Sequence, residues 1–112
     1  MELADEQVGT ATVVSVTGRI DGSNARDFEA GLMSSIGGNE GPVVVDLSAL
    51  AYISSAGLRV FLVAAKHMQE STREFALCAL SAEVAEVFEI TGFDSIINLH
   101  NDRNLAVDAV SS

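Results

Sequence analysis

Two adjacent serines, Ser54 and Ser55, are the residues whose type and position could support chemistry. They lie between a segment with a strand pattern and a segment with helical spacing, so either hydroxyl could cap the first turn of the helix. The backbone N–H groups and the dipole at the start of a helix also favour an anion. A phosphate there would add about two negative charges and repel a partner that must cover this surface. The two serines are therefore either helix caps or a binding switch.

The segments on either side of the serines carry the clearest patterns in the chain. Residues 43–45 are three consecutive valines, followed by an aspartate and a leucine. Because they lack the polar alternation of a half-exposed strand, they predict a strand at the centre of a sheet, buried on both faces. From residue 58 onwards, apolar side chains recur at i, i+3 and i+4, which predicts an amphipathic helix over residues 57–70.

The other segments alternate between strand and helix patterns. Residues 1–8 are acidic and weakly patterned, and form either a short edge strand or a fraying end. We predict further strands at 10–16, 74–80 and 95–99, a turn at 18–21, and helices over 25–36, 81–91 and 103–110. Alternating strands and helices favour an α/β fold, here a single domain over residues 1–112. We expect a mixed sheet of four to five strands, with about four helices packed mainly on one side.

Composition excludes several classes of function. Sixteen acidic and six basic residues give a formal charge of −10, which disfavours nucleic acid and anionic membranes as partners. No apolar run reaches the length of a membrane span and no signal-peptide pattern is present, so we expect a cytoplasmic location. The single cysteine, Cys78, and two histidines without ligand spacing give no reason to expect a disulfide, a metal or a cofactor.

A hydrolase that uses Ser55 is the enzymatic alternative, and it would need a positioned base. His67 is three helical turns from Ser55, about 18 Å along the axis at a rise of about 1.5 Å per residue. His100 lies near the end of a predicted strand, where an ordinary exposed histidine is the simpler interpretation. We therefore expect a binding protein rather than an enzyme.

Two aspartates follow predicted strands. Asp21 comes after the first of them and Asp46 at the end of the central strand. If these strands are parallel neighbours, both carboxylates would lie at one end of the sheet with Ser55, as an acidic rim around a modifiable hydroxyl. The alternative is structural: Asp21 caps the first helix and Asp46 binds loop amides.

Four segments together resemble a known family, the bacterial single-domain anti-sigma factor antagonists of the STAS (sulfate transporter and anti-sigma factor antagonist) group. In this chain they are Gly18–Asp21, Val43–Leu47, Tyr52–Leu58 and Phe88–Phe93. Their order and spacing span nearly the whole chain. The second serine of Tyr-Ile-Ser-Ser-Ala-Gly-Leu, Ser55, is similar in position to the phosphorylated serine of the family, and Asp21 to its turn aspartate.

The resemblance implies a partner-switching role. In the family, a serine kinase with a histidine-kinase-like ATPase fold doubles as the anti-sigma factor and phosphorylates this serine. The unphosphorylated antagonist binds that kinase and frees the sigma factor, and a PP2C-like phosphatase reverses the modification. The resemblance implies a partner face that includes Asp21, Ser54, Ser55, Gly57, Arg59 and Val63.

One residue departs from the family pattern. Many members have an aspartate where this chain has Ser54, so Ser54 is an alternative phosphorylation site. Arg59, one turn after Ser55, would either pair with a phosphate, contact the partner or remain solvated. The alternative function is a STAS protein-binding module that acts independently of phosphorylation in another bacterial signalling pathway.

Overall fold

The computed structural model describes residues 1–111, and its strands form one mixed sheet. Within that range five strands lie in the sheet in chain order: β1 (Glu2–Val8), β2 (Ala11–Ile20), β3 (Val43–Ile53), β4 (Phe75–Cys78) and β5 (Asn98–His100). β1 is antiparallel to β2, and the other neighbours are parallel. The predicted mixed sheet with a central β3 is confirmed. The acidic first residues form an edge strand rather than a fraying end.

The helices cover both faces of the sheet unequally. Residues 1–111 contain four α-helices: α1 (Ala25–Gly37), α2 (Ser55–Glu70), α3 (Ala82–Thr91) and α4 (Arg103–Ser111). The first three share one core, in which the ring of Phe61 contacts that of Phe28 edge-to-face and that of Phe88 at a tilt, with centroids 5.2 and 5.9 Å apart. α4 covers a smaller core on the other face. The prediction of helices mainly on one side is confirmed.

The three consecutive valines explain where β3 lies. Val43 and Val45 are buried in the core under α1, α2 and α3, and Val44 is buried in the core under α4. Where both faces of a strand are covered, consecutive side chains are mostly apolar, as they are at residues 43–45. Because β2 and β3 are parallel, the loop after β2 and the start of α2 lie at the same end of the sheet.

β2 and β3 are both longer than predicted. We predicted a strand over 10–16 and the end of the central strand near residue 47, but the two strands continue to Ile20 and Ile53. The pairing between them shifts twice, because β3 carries an extra residue relative to β2 at two places. Each such bulge interrupts the alternation of apolar and polar side chains, so the pattern after residue 47 did not indicate a strand.

The last strand also differs from the prediction. We expected it at 95–99, whereas Phe93–Ser95 forms a short 3-10 helix and β5 begins at Asn98. Gly92, with φ of 78°, ends α3 in the left-handed conformation and turns the chain into this 3-10 segment. The start of β5 is therefore set by the turn after Gly92.

Asp46 is not part of an acidic rim, and that prediction was wrong because β3 continues past it. The carboxylate is buried on the α4 face, where it accepts hydrogen bonds from the Ser48 N–H (2.9 Å) and from Arg103 Nε (3.0 Å). Arg103 also donates to the Ser15 hydroxyl at 3.1 Å and pairs with Glu6. Burial acts to raise the pKa of Asp46, but the hydrogen bonds from Ser48 and Arg103 outweigh it and leave the pKa lowered. Asp46 thus anchors α4 to the sheet.

Candidate functional site

The start of α2 follows directly on the end of β3, and Ser54 caps it. Ser54 has an extended backbone, with φ of −91° and ψ of 172°, and its hydroxyl oxygen accepts a hydrogen bond from the Gly57 N–H at 3.4 Å. Its own N–H donates to the Ile20 carbonyl, at the end of β2, at 2.9 Å. Of the two serines predicted as caps, Ser54 is the one that serves as the cap.

Ser55 presents its side chain to solvent. It is the first residue of α2 and is exposed, and nothing within residues 1–111 forms a hydrogen bond with its hydroxyl. The first-turn N–H groups of a helix lack partners within the helix, and the positive end of the dipole lies there, so a negative charge is favoured at this position. The Ser55 hydroxyl is therefore the more accessible of the two to a modifying enzyme.

Gly57 is buried in the first turn of α2, against the ends of β2 and β3. A Cβ at this position would lie 2.7 Å from Ile20 Cγ2 and 2.8 Å from Ile53 Cγ1. Carbon atoms in contact are normally about 3.5 Å or more apart. Only glycine therefore lets the first turn approach these isoleucines. Gly57 was predicted to belong to the partner face, and its burial gives it a positioning role beneath the two serines.

Asp21 lies in the loop after β2, next to the residue whose carbonyl binds Ser54. Its carboxylate accepts hydrogen bonds from the N–H (2.9 Å) and hydroxyl (2.6 Å) of Ser23, which is an Asx turn. The N-cap of α1 is Asn24, so the alternative in which Asp21 caps this helix is wrong. The hydrogen bonds from the Ser23 hydroxyl and N–H, with the nearby charge of Arg19, lower the pKa of Asp21. A charged carboxylate is thus held at the end of the sheet where α2 begins.

Arg59 and Val63 follow Ser55 along one side of α2, at i+4 and i+8. Both side chains are exposed, that of Val63 by 39%. Arg59 forms no hydrogen bond or ion pair with any described residue. The structure thus brings Asp21, Ser54 and Ser55 together at one end of the sheet. Arg59 and Val63 lie one and two turns further along the helix.

Sequence reasoning missed one pair of side chains at this end of the sheet. The guanidinium of Arg19 lies over the ring of Tyr52, 4.5 Å from its centroid, and Tyr52 is 42% exposed. The two residues are register partners on β2 and β3. Both residues belong to segments that carry the family resemblance. Their place in those segments was the one signal in the sequence that could have pointed to them. Their contact could not be predicted because it depends on the two bulges in β3.

Other features of the described residues bear on function. In residues 1–111 no helix is long and apolar enough to cross a membrane. No group of three or more histidine, cysteine, aspartate or glutamate side chains within that range is arranged to hold a metal ion. Cys78 is buried under α4, and this burial raises the pKa of its thiol to about 12. The thiol is therefore protonated at neutral pH.

Comparison with known proteins gives the class of the molecule. The STAS domain family matches residues 2–106, which are nearly all of the residues in the strands and helices described above. The chain belongs to the STAS domain family.

Several proteins similar to this chain are described as anti-sigma factor antagonists. BtrV of Bordetella bronchiseptica, a candidate anti-sigma factor antagonist, is 40% identical over 109 residues, which cover 97% of this chain and 94% of BtrV. A crystal structure of an anti-sigma factor antagonist from Mycobacterium paratuberculosis superimposes with a TM-score of 0.90 at 25% identity, covering 99% of this chain and 94% of that one. The phosphorylated form of the Bacillus cell-fate determinant SpoIIAA has the same fold, with a TM-score of 0.71 at 18% identity over 97% of this chain and 99% of SpoIIAA.

Proposed function

We propose that this chain is a phosphorylation-controlled anti-sigma factor antagonist of the cytoplasm. When unphosphorylated, it binds a serine kinase that has a histidine-kinase-like ATPase fold and doubles as an anti-sigma factor, and binding frees the sigma factor. The kinase transfers the terminal phosphate of ATP to the hydroxyl of Ser55, and the phosphorylated chain dissociates. A PP2C-like phosphatase hydrolyses the phosphoserine and restores binding. The chain is then a ligand and a substrate, without a catalytic step of its own.

The observation that carries this proposal is the different use of two adjacent hydroxyls. The Ser54 hydroxyl accepts a hydrogen bond from the first turn of α2, whereas the Ser55 hydroxyl is exposed and forms none with the described residues. A kinase can therefore bind and phosphorylate the Ser55 hydroxyl without breaking a hydrogen bond within the chain. A kinase that modified Ser54 would first have to displace its hydroxyl from the capping hydrogen bond, which is typically worth about 1 kcal/mol. This difference favours Ser55 as the phosphorylation site.

The charge of the phosphate explains why binding would be lost. Phosphoserine carries about −1.5 to −2 charges at neutral pH. Asp21 already places a carboxylate at this end of the sheet, so a partner that covers both groups must desolvate several like charges. Such desolvation costs more than a complex recovers unless each charge is paired. The start of α2 itself tolerates the phosphate because its dipole and free N–H groups favour an anion.

The relatives support the proposal. BtrV, over nearly its whole length, is similar to this chain and is described as a candidate anti-sigma factor antagonist. SpoIIAA, which shares the fold, has been observed in a phosphorylated form. The proposed partner face consists of Asp21, Ser54, Ser55, Arg59 and Val63, with Gly57 beneath it.

Paired serine variants test the site. Incubated with the kinase and ATP, Ser55→Ala is expected to gain no phosphate and to bind the kinase as the wild type does. Ser54→Ala is the matched control, because it removes the neighbouring hydroxyl; it is expected to be phosphorylated, with a free energy of unfolding lower by about 1 kcal/mol. Intact mass with site-localised fragmentation measures the phosphate. Phosphorylation of Ser55→Ala but not of Ser54→Ala would move the site to Ser54.

The charge switch is tested by affinity. Calorimetric titration of the kinase is expected to show much weaker binding for Ser55→Asp than for the wild type, because a negative charge stands at the same position. Protein recovered from growing and stressed cells is expected to differ in the fraction phosphorylated. Equal affinities, together with no phosphate under either condition, would leave the phosphorylation-independent STAS binding module as the function.

A further inference from the structure

The six basic side chains of this acidic chain fall into two groups. One group is engaged within the fold, over an aromatic ring, on main-chain carbonyls and on carboxylates: Arg19, Arg73 and Arg103. The other group forms no hydrogen bond or ion pair with any residue in 1–111: Arg26, Arg59 and Lys66. The second group has no partner among residues 1–111 and is the positive charge most available to a ligand or to a phosphate.

Two of the available cations lie on the side of α2 that begins with Ser55. Ser55, Arg59, Val63 and Lys66 stand at i, i+4, i+8 and i+11, which places them on one helical stripe, called here the α2 stripe. All four are exposed. α2 contains no acidic residue before Glu70, its last position, although the chain as a whole carries a charge of −10. The α2 stripe is therefore a locally positive surface with an apolar side chain at its centre.

The first pair of the stripe has the spacing of a helical ion pair. Side chains at i and i+4 have Cβ atoms about 5–6 Å apart, and an acidic group that precedes a basic group is the favoured orientation. A guanidinium can also donate two parallel hydrogen bonds to phosphate oxygens. Nothing within residues 1–111 competes for Arg59. A phosphate on Ser55 would thus meet a free, correctly spaced guanidinium.

We propose that the contacts of Arg59 depend on whether Ser55 is phosphorylated. In the unphosphorylated chain, the α2 stripe offers Arg59 and Lys66 to a carboxylate-bearing surface of the kinase that packs around Val63. In the phosphorylated chain, Arg59 pairs with phosphoserine 55 in the same molecule and is withdrawn from the partner. This inference rests on the proposed function, and it adds that phosphorylation removes a positive contact as well as adding negative charge.

Phosphorylation of Ser55 would change the net charge of the α2 stripe by a large amount. Two positive side chains stand on the unphosphorylated stripe, and a phosphate of about two negative charges brings their sum close to zero. Other charged groups near the end of β2 include Arg19, Asp21, Arg26, Asp27 and the amino group of Met1. Arg19 is held over Tyr52 and Asp21 is bonded to Ser23. Arg26, in the first turn of α1, forms no side-chain hydrogen bond or ion pair with any described residue.

The phosphorus-31 NMR titration of phosphoserine 55 tests the pairing without any partner. Phosphoserine is introduced at position 55 of the full chain by genetic code expansion, and the second pKa of the phosphate is measured. Pairing with a cation favours the dianion and lowers this pKa, so Arg59→Gln is expected to raise it by about 0.3 units, roughly a twofold change in proton affinity. Arg59→Lys is expected to restore part of the shift, because it keeps the charge but not the paired donors.

Lys66→Gln is the matched control. It removes the same charge from the same stripe, but at a position about 16 Å from Ser55 along the helix axis, at about 1.5 Å per residue. That separation exceeds the screening length of about 10 Å in 0.1 M salt, so the phosphate pKa is expected to stay unchanged. Identical titrations for the wild type and Arg59→Gln, or a shift produced by Arg26→Gln instead, would overturn the pairing.

The docking half of the inference has its own measurement. Against the unphosphorylated chain, Arg59→Gln is expected to weaken kinase binding by about threefold to fivefold, as for an exposed ion pair. Unchanged affinity would refute docking through Arg59. Because the phosphoserine in the titration is introduced by genetic code expansion and needs no kinase, the result of the titration is independent of the proposed function. If Arg59→Gln raises the phosphate pKa as expected but Ser55 carries no phosphate in cells, the proposed function is rejected while the pairing of Arg59 with phosphoserine 55 stands.

Discussion

Replacement of Gly57 by alanine tests how the fold positions the switch serines. The added methyl would meet Ile20 Cγ2 at 2.7 Å and Ile53 Cγ1 at 2.8 Å, so about 0.7 Å of movement is needed to reach a normal contact. Both isoleucines are branched and at most 3% exposed, and cannot rotate away. Overpacking of this kind costs about 1–3 kcal/mol, whereas alanine gains about 0.5–1 kcal/mol over glycine in a helix. A net loss of about 1–2 kcal/mol is expected.

Gly31→Ala in α1 is the control for this substitution. A Cβ at Gly31 would meet only the terminal Cδ1 of Leu3, a half-buried side chain on edge strand β1 that can change rotamer. Gly31→Ala is therefore expected to be neutral or to stabilise by up to about 1 kcal/mol. Urea unfolding of both variants measures the difference. Equal effects of the two substitutions, or a more stable Gly57→Ala, would refute the argument that Gly57 is required by close packing.

Two further predictions concern backbone strain and charge. Thr72, two residues after the end of α2, has φ of 54°, the left-handed conformation that favours glycine. Thr72→Gly is expected to raise the free energy of unfolding by about 0.5–1 kcal/mol, measured in urea. A decrease would show that the Thr72 side chain contributes more than the strain costs. The pKa of Asp46 is lowered in the folded state, so its stabilisation is present above about pH 4 and is lost as the pH falls through the folded value. Asp46→Asn is expected to lose about 1–3 kcal/mol at pH 7 and to show a flatter acid dependence between pH 4 and 2 in thermal unfolding. Parallel curves for the wild type and Asp46→Asn would contradict the ion pair with Arg103.

The sequence predicted the features that depend on local pattern. The buried strand at 43–45, the helices and the mixed sheet follow from hydrophobic periodicity, which short windows of sequence contain. The extension of β3 to Ile53 does not, because two bulges interrupt the alternation there. The ion pair of Asp46 with Arg103 joins residues 57 positions apart, and no local pattern indicates such a contact.

The candidate site could be predicted only in part, because local pattern indicates the junction of strand and helix but not the contacts made there. Ser54 and Ser55 stand at a strand-to-helix junction that the pattern shows, so the position of the serine pair was predictable. Both are good cap residues, and the choice between them depends on the backbone angles of Ser54 and its bond to Ile20. The stacking of Arg19 on Tyr52 depends on strand register, which tertiary structure sets.

The division of the core between the two faces of the sheet has a consequence for local unfolding. The core under α4 consists of small side chains: Ala11, Val13, Val44, Ala76, Cys78, Ala106 and Val110. α4 therefore detaches with less loss of apolar burial than a helix on the larger core, and its detachment also breaks the ion pair of Arg103 with Asp46. Its amide protons should then exchange with solvent before those of α2. Because α2 lies on the opposite face, this opening leaves the serine pair in place, and a partner bound there would slow exchange at α2 while α4 continued to open.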